Sequence, residues 1–410
     1  MRDSGGVYDL MHMDLSVPAQ PPPAPAAAPG RKAPRRPVST GPARRVRRVL
    51  TIAAAIALIP VLASYATTML KPSDSSLGIR SVEWLRDNGA ASLVTKIESI
   101  YYTLTAPARG GPQLHALPKV GVASTANGLT PPVPIIDRPA PLRSLGGPPI
   151  AGEGVWRPTQ AGESRSDPPL LVTTFRSDPS EYPRLVAGVA WINTSRTTVS
   201  LYAGRLEPSV ALPSRGSMQV PGGLRHRLLA TFNSGFKLAD ANGGWALHGH
   251  TYAPMREGQA TFVRYADGRY DVTAWQGGPR VGADVVFARQ NLPLIVNGGR
   301  PNPHLSDGPE WGATLGNAIQ VWRSGIGIDA QGNLIYAAAP DQTVHSLADI
   351  LIHAGAVRAM ELDINSYWVS FNTYARPGAE EPAKLLAETE RPATRYLSPD
   401  DRDFFAVYLR

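Results

Sequence analysis

Between residues 170 and 364 apolar and polar residues alternate with a period of two in a series of short runs. The runs LLVTTFRS (170–177), LVAGVAWIN (185–193), TTVSLYAG (197–204) and LLATFNS (228–234) predict strands. So do ATFVRYADGRYDVTAW (260–275), PLIVNGG (293–299), SGIGIDAQGNLIYAAAP (324–340) and AMELDI (359–364). Hairpin turns are expected at Ala266-Asp267-Gly268-Arg269 and Ala330-Gln331-Gly332-Asn333, hence antiparallel pairing. The period turns helical in SLADILIHAGA, where Ser346 is the expected cap, Asp349 its capping-box partner and Gly355 the stop. A helix followed by AMELD forms an α/β crossover, which argues for a mixed sheet with a helix on one face over an all-β sandwich. The expected fold class is α+β: a mixed, largely antiparallel β-sheet domain over residues 150–410 with helices packed on it, preceded by a single transmembrane helix.

Upstream the pattern is different. Residues 49–70 form 22 positions without a charge. As a helix that is about 33 Å, against a hydrocarbon core of about 30 Å. Arg44, Arg45, Arg47 and Arg48 precede it and only Lys71 follows, which predicts a cytoplasmic N-terminus and an extracytoplasmic remainder at the plasma membrane. Ser64-Tyr65-Ala66 weakly resembles a signal-peptidase site, but the length of the apolar run and of the tail before it favour an uncleaved signal anchor. Residues 1–48 are Pro/Ala/Arg-rich and read as a disordered basic cytoplasmic tail. Residues 78–102 place Val82, Trp84, Leu85, then Leu93, Val94, Ile97, Ile100 and Tyr101 at helical spacing. Two short amphipathic helices are expected, the first ended by Asn88-Gly89 and the second capped by Ser92, docked on the fold in preference to the membrane. Ten prolines in residues 106–149 predict a stiff linker or a wrapping strap.

Charge and composition narrow the function. Residues 1–71 hold ten Lys+Arg against three Asp+Glu, so most of the net charge of +8 belongs to the tail. The rest is nearly neutral and gives no field for DNA or RNA, so no nucleic-acid partner is expected. With no cysteine, disulfides, Cys-ligated metals and thiol nucleophiles are excluded. The sequence requires no cofactor and leaves a divalent cation and protein partners undetermined.

Chemistry-bearing residues cluster at a few strand ends. Glu361 and Asp363 are two apart in a predicted strand and share a face, which ordinary core would not tolerate unpaired; a solvated pair at a sheet edge is the bland alternative. Arg323 precedes a strand and suits an anionic ligand, or an ion pair with Glu361 or Asp363. At TFNSGF (231–236) the turn Asn233-Ser234-Gly235 offers an amide and backbone N–H groups, or is a plain turn. His248 and His250 flank Gly249, a weak metal or general-acid signal. Trp368 is one of several tryptophans able to serve as a sugar platform or as core.

In order, TFNSGF, PLIVNGG, WRSGIGID with GNLIYAAA, and SLADILIHAGAVRAMELDIN resemble the phosphodiester glycosidase family over roughly residues 185–375. The resemblance implies a hydrolase of sugar-phosphodiester (glycosyl-1-phosphate) linkages acting on a glycan or sugar-phosphate. By position it carries roles to Asn233, Arg323 and Asp363: Asp363 faces the developing oxocarbenium ion, Arg323 the phosphate, and Asn233 a hydroxyl or phosphate oxygen. Glu361 or His250 would move a proton. Ser234 stands for a family glycine, and Ile364-Asn365-Ser366 for a glycine run, so Asn365 and its neighbours reshape the substrate pocket. The expected site therefore comprises Asp363, Arg323 and Glu361 for catalysis, with Asn233, Ser234, Gly235, His248, His250, Asn365 and Trp368 for substrate. A non-catalytic glycan-binding module on the same fold is the alternative.

Overall fold

The computed structural model describes residues 41–118, 139–160, 167–306, 308–311 and 320–410. Most of the predicted basic tail and the centre of the Pro-rich segment lie outside the described residues. The chain divides into two units, Met1–Leu62 and Ala63–Arg410.

Helix α1 (Pro42–Leu70) is long and apolar enough to cross a membrane and takes in the four arginines at its start. Helices α2 (Leu77–Leu85) and α3 (Ala91–Thr105) follow. Ser76 caps α2 by accepting from the Ile79 N–H. The break falls where Asn88-Gly89 predicts it, with Gly89 at φ +89°. Ser92 is not the cap of α3; Ala90 occupies that position and supplies no side-chain hydrogen bond.

The strands are β1 (Arg157–Pro158), β2 (Leu170–Asp178), β3 (Tyr182–Ile192), β4 (Thr197–Tyr202), β5 (Leu228–Asn233), β6 (Trp245–Leu247), β7 (His250–Ala253) and β8 (Gln259–Tyr265). They continue with β9 (Tyr270–Ala274), β10 (Val285–Asn297), β11 (Arg300–Pro301), β12 (Val321–Ile328), β13 (Leu334–Gln342), β14 (Arg358–Glu361), β15 (Phe371–Arg376), β16 (Glu380–Lys384) and β17 (Phe404–Leu409). Helix α4 (Leu238–Ala241) follows β5, and helix α5 (Val344–His353) connects β13 to β14.

One sheet runs β1-β2-β3-β13-β12-β14-β10-β6-β7, with β11, β8 and β9 attached through β10; the second runs β16-β15-β5-β17-β4. Both predicted hairpins form, β8–β9 and β12–β13. Every pairing among the described strands is antiparallel. The crossover is real but produces no parallel pair, because β12 lies between β13 and β14. The domain is α+β as expected, and its two sheets stack face to face.

Strand β13 shows why three layers form. Leu334, Tyr336 and Ala338 enter the core between the sheets with Phe232, Phe371 and Phe405. Ile335, Ala337 and Ala339 enter a second core under Val344, Leu347 and Leu351 of α5. A strand buried on both faces reads as a continuous apolar run. Helix α5 approaches closely because β12 carries Gly325 and Gly327; a Cβ there would lie 2.9 Å from Leu351 Cδ1 and 2.8 Å from Ala356 Cβ. Its cap is Thr343, not Ser346. Thr343 Oγ1 accepts from the Ser346 N–H, and Ser346 Oγ accepts from the Thr343 N–H, so Ser346 takes the third-position role given to Asp349 in the sequence reading. The predicted stop holds, with Gly355 at φ +100°.

The described ends of the Pro-rich segment lie along the domain: Leu114 and Leu117 pack on the central core, and Trp156 donates to the Ala140 carbonyl.

Candidate active site

Strand β12 sorts the candidate residues, because Arg323 and Ser324 are adjacent and point to opposite faces. Ser324 faces the space between the sheets. Its hydroxyl accepts from Asn233 Nδ2 at 3.0 Å and donates to the Asp363 carbonyl at 3.0 Å. Asn233, at the end of β5, is thereby bridged to Asp363, just beyond the end of β14. Asn233 also donates to the Ser234 carbonyl and accepts from Tyr336 Oη and the Ser370 N–H, so its amide is wholly engaged in the protein.

The Asp363 carboxylate is buried and touches Arg402, with Nη2 3.1 Å from Oδ2. Burial pushes its pKa above the ordinary carboxylate value; the Arg402 charge and the N–H groups of Asn365 and Ile364 oppose the rise. Arg402 Nη2 also donates to the Gly235 carbonyl at 3.0 Å, drawing the TFNSGF turn to the same point. Ser234 donates to Asp403, which accepts from Arg289 at 2.9 Å and from the Trp245 indole.

Arg323 lies on the other face of β12. Its Nη1 is 2.5 Å from Glu361 Oε1 and donates to the Trp311 carbonyl, and its Nε donates to the Gln342 carbonyl. Both side chains are buried, which is the ion-pair arrangement allowed by the sequence. Glu361 Oε2 accepts no hydrogen bond from the described residues. Burial raises the Glu361 pKa, Arg323 opposes this, and the Asp363 charge adds to the rise.

Beyond Asp363 the chain turns without glycine. The Asn365 N–H donates to Asp363 Oδ1, and Asn365 Oδ1 accepts from the Tyr367 N–H. These two Asx-type bonds close the turn with no positive φ at residues 364–366, so the missing glycine run costs no backbone strain. Trp368 is buried with its ring beside Arg402, whose Cζ is 5.1 Å from the ring centroid.

Arg402 and Trp368 form part of the wall of a cleft of about 390 Å³, together with Lys237, Trp84 and Lys71. Asp363 sits behind Arg402, outside the lining. Arg323, Glu361 and Asn233 are also outside it. His248 and His250 lie on the β6–β7 hairpin at the edge of the large sheet, away from these contacts. Among the described residues no group of three His, Asp or Glu side chains is arranged to hold a metal ion.

Arg402, Ser324 and Asp403 are the site residues that sequence reading does not single out. The signal is SPDDRDFF (398–405), four charges directly before an apolar strand. Each points to a different partner: Asp400 to Arg395, Asp401 to Ser75, Arg402 to Asp363 and Asp403 to Arg289.

No family profile matches the chain, and no curated protein does. Among solved structures it is similar to the zebrafish N-acetylglucosamine-1-phosphodiester alpha-N-acetylglucosaminidase catalytic domain auto-inhibited by its pro-peptide. That likeness has 16% identity and a TM-score of 0.38, covering 59% of this chain and 84% of that one. A hypothetical protein from Synechocystis matches at 14% identity and a TM-score of 0.31, covering 55% of this chain and 59% of that one. Both are distant likenesses of fold.

Proposed function

We propose that this chain is a membrane-anchored, extracytoplasmic hydrolase that breaks the bond between a sugar's anomeric carbon and a phosphodiester in a cell-envelope or exported glycan. The observation that carries the reading is the pairing of a buried carboxylate, Asp363, with an arginine that itself walls an open cleft. The motif order around Asn233, Arg323 and Asp363 supports it.

In this reading the substrate phosphate enters the cleft and takes Arg402 as its partner, releasing Asp363 from the ion pair. The freed carboxylate faces the positive charge that builds at the anomeric carbon, and Arg402 faces the charge building on the departing phosphate. A phosphate is already a stable anion, so departure needs little general acid. Ser324 holds Asp363 and Asn233 in register. Trp368 borders both Arg402 and the cleft and holds the guanidinium in place. Arg323 and Glu361 act from behind, fixing the end of β14. The membrane anchor is α1, with the basic tail in the cytoplasm.

A non-catalytic glycan-binding module is favoured by one observation: Arg323, the arginine of the motif, is engaged by Glu361 and two carbonyls and does not line the cleft. Full-length chain in detergent, assayed against a panel of sugar-1-phosphodiesters beside Asp363→Asn, separates the readings. Sugar release lost in the variant supports the hydrolase. Binding without turnover in both supports the module.

A further inference from the structure

Helices α2 and α3 have two unlike faces. One is docked: Val94 is buried, and Tyr102 packs with Phe236 against Val321 and Ile364, next to Asp363. Arg86 and Glu98 tie the two helices at 2.7 Å, and Glu83 of α2 reaches Lys237 of the domain at 3.0 Å. The opposite face of α3 is not covered by any described residue. Leu93, Ile97, Ile100 and Leu104 are 56%, 59%, 54% and 80% exposed, at spacings that put them on one stripe.

The chain itself indicates what covers that stripe. Only residues 71–76 separate α2 from the end of α1, the helix apolar enough to cross a membrane. Six residues reach at most about 20 Å. Between Ala91 and Thr105 the charged residues are Lys96, which can extend toward lipid phosphates, and Glu98, which is held by Arg86. Tyr101, 61% exposed on the same helix, suits the level of the headgroups, whereas Tyr65 and Trp84 bond Ser81 and Ser64 and pack α2 on the end of α1. Lys71 and Trp84 of this segment line the cleft together with Lys237, Trp368 and Arg402.

We propose that α3 lies in the headgroup region of the bilayer through Leu93, Ile97, Ile100 and Leu104, and that the cleft takes a glycosyl phosphodiester carried on a lipid of that bilayer. The substrate part rests on the hydrolase reading above; the membrane contact does not. In the reaction the C1–O bond breaks, the oxygen and one hydrogen of water go to the anomeric carbon, and the other proton goes to the lipid phosphate. The products are free sugar and a lipid phosphomonoester, with no co-reactant beyond water.

Two measurements on the full chain in phosphatidylglycerol–phosphatidylethanolamine vesicles test this. The chain has no cysteine, so Ile97→Cys and Leu104→Cys each carry one bimane probe, with Asp267→Cys on an exposed turn as control. Brominated lipids should quench the first two and spare the third. Equal, weak quenching at all three positions overturns the membrane contact. The second measurement compares one glycosyl phosphate esterified to a long isoprenyl alcohol in the vesicles with the same compound as its methyl ester in solution. Confinement to the surface should raise kcat/KM for the lipid form about ten-fold or more. Comparable values for the two overturn the lipid substrate and leave the hydrolase standing. Absence of turnover on both, with the probes quenched, overturns the hydrolase reading and the substrate proposal together while the membrane contact stands.

Discussion

Arg402 donates to Asp363 at 3.1 Å and itself lines the cleft, so the charge of the buried carboxylate is balanced by a residue that a cleft ligand would meet. Removing either partner strands a buried charge. Arg402→Ala is expected to destabilise the domain by about 3–5 kcal/mol, and the double variant with Asp363→Asn by less than the two single losses combined. Urea unfolding of the four proteins measures the coupling.

Ser324 joins two candidate residues through one hydroxyl. Ser324→Ala removes the acceptor of the Asn233 amide and of the Asp363 N–H, while the Asp363 carbonyl keeps the Ser324 N–H, an expected loss of about 1–3 kcal/mol. If stability falls by this amount while turnover is unchanged, the bridge supports the fold but not the positioning of Asp363.

The Arg323–Glu361 pair is buried outside the cleft. Glu361→Ala is expected to cost about 3–5 kcal/mol, and Arg323→Met combined with Glu361→Leu to lie closer to wild type than either single change. Denaturation midpoints check the order. A double variant less stable than both singles would contradict it.

The segment after α1 is held by carboxylates that titrate. Asp74 contacts Arg391, accepts from the Asp401 N–H and has its pKa pushed up to about 7 by burial and by neighbouring Asp400. Its charged form is therefore disfavoured when docked. The contribution of this group to docking is full below its ordinary value of 3.8 and is lost as pH rises through about 7. Asp400, held near 2 by Arg395, changes only below that window. Cleavage within residues 71–76 by a broad-range protease, corrected for its own pH profile, should be faster at about pH 8 than at about pH 5, and Asp74→Asn should flatten the difference.

Alternation in sequence locates most strands of the large sheet because their side chains face two distinct environments. It misses β10 before Pro293, where Arg289, Gln290 and Asn291 break the pattern yet are buried. Those polar groups are satisfied by Asp403, by Arg256 and Thr261, and by the carbonyls of Glu361 and Leu362, partners that only tertiary structure supplies. It also misses β17, whose continuous apolar run pairs with β4 and β5. The same limit applies to the site. Asp363 and Asn233 are visible as polar residues at strand ends, and the structure joins them through Ser324. Arg402 reaches Asp363 across 39 residues of chain, a pairing that local periodicity does not encode.

In the proposed reaction the bond broken lies between carbon and oxygen at the anomeric centre, with Asp363 acting there. The most direct test is hydrolysis of a glycosyl phosphodiester by the full chain in heavy-oxygen water, followed by mass spectrometry of both products. The label is expected in the free sugar, and is expected to be lost in Asp363→Asn. Label in the phosphate would make the chain a phosphodiesterase acting at phosphorus and would contradict the role given to Asp363.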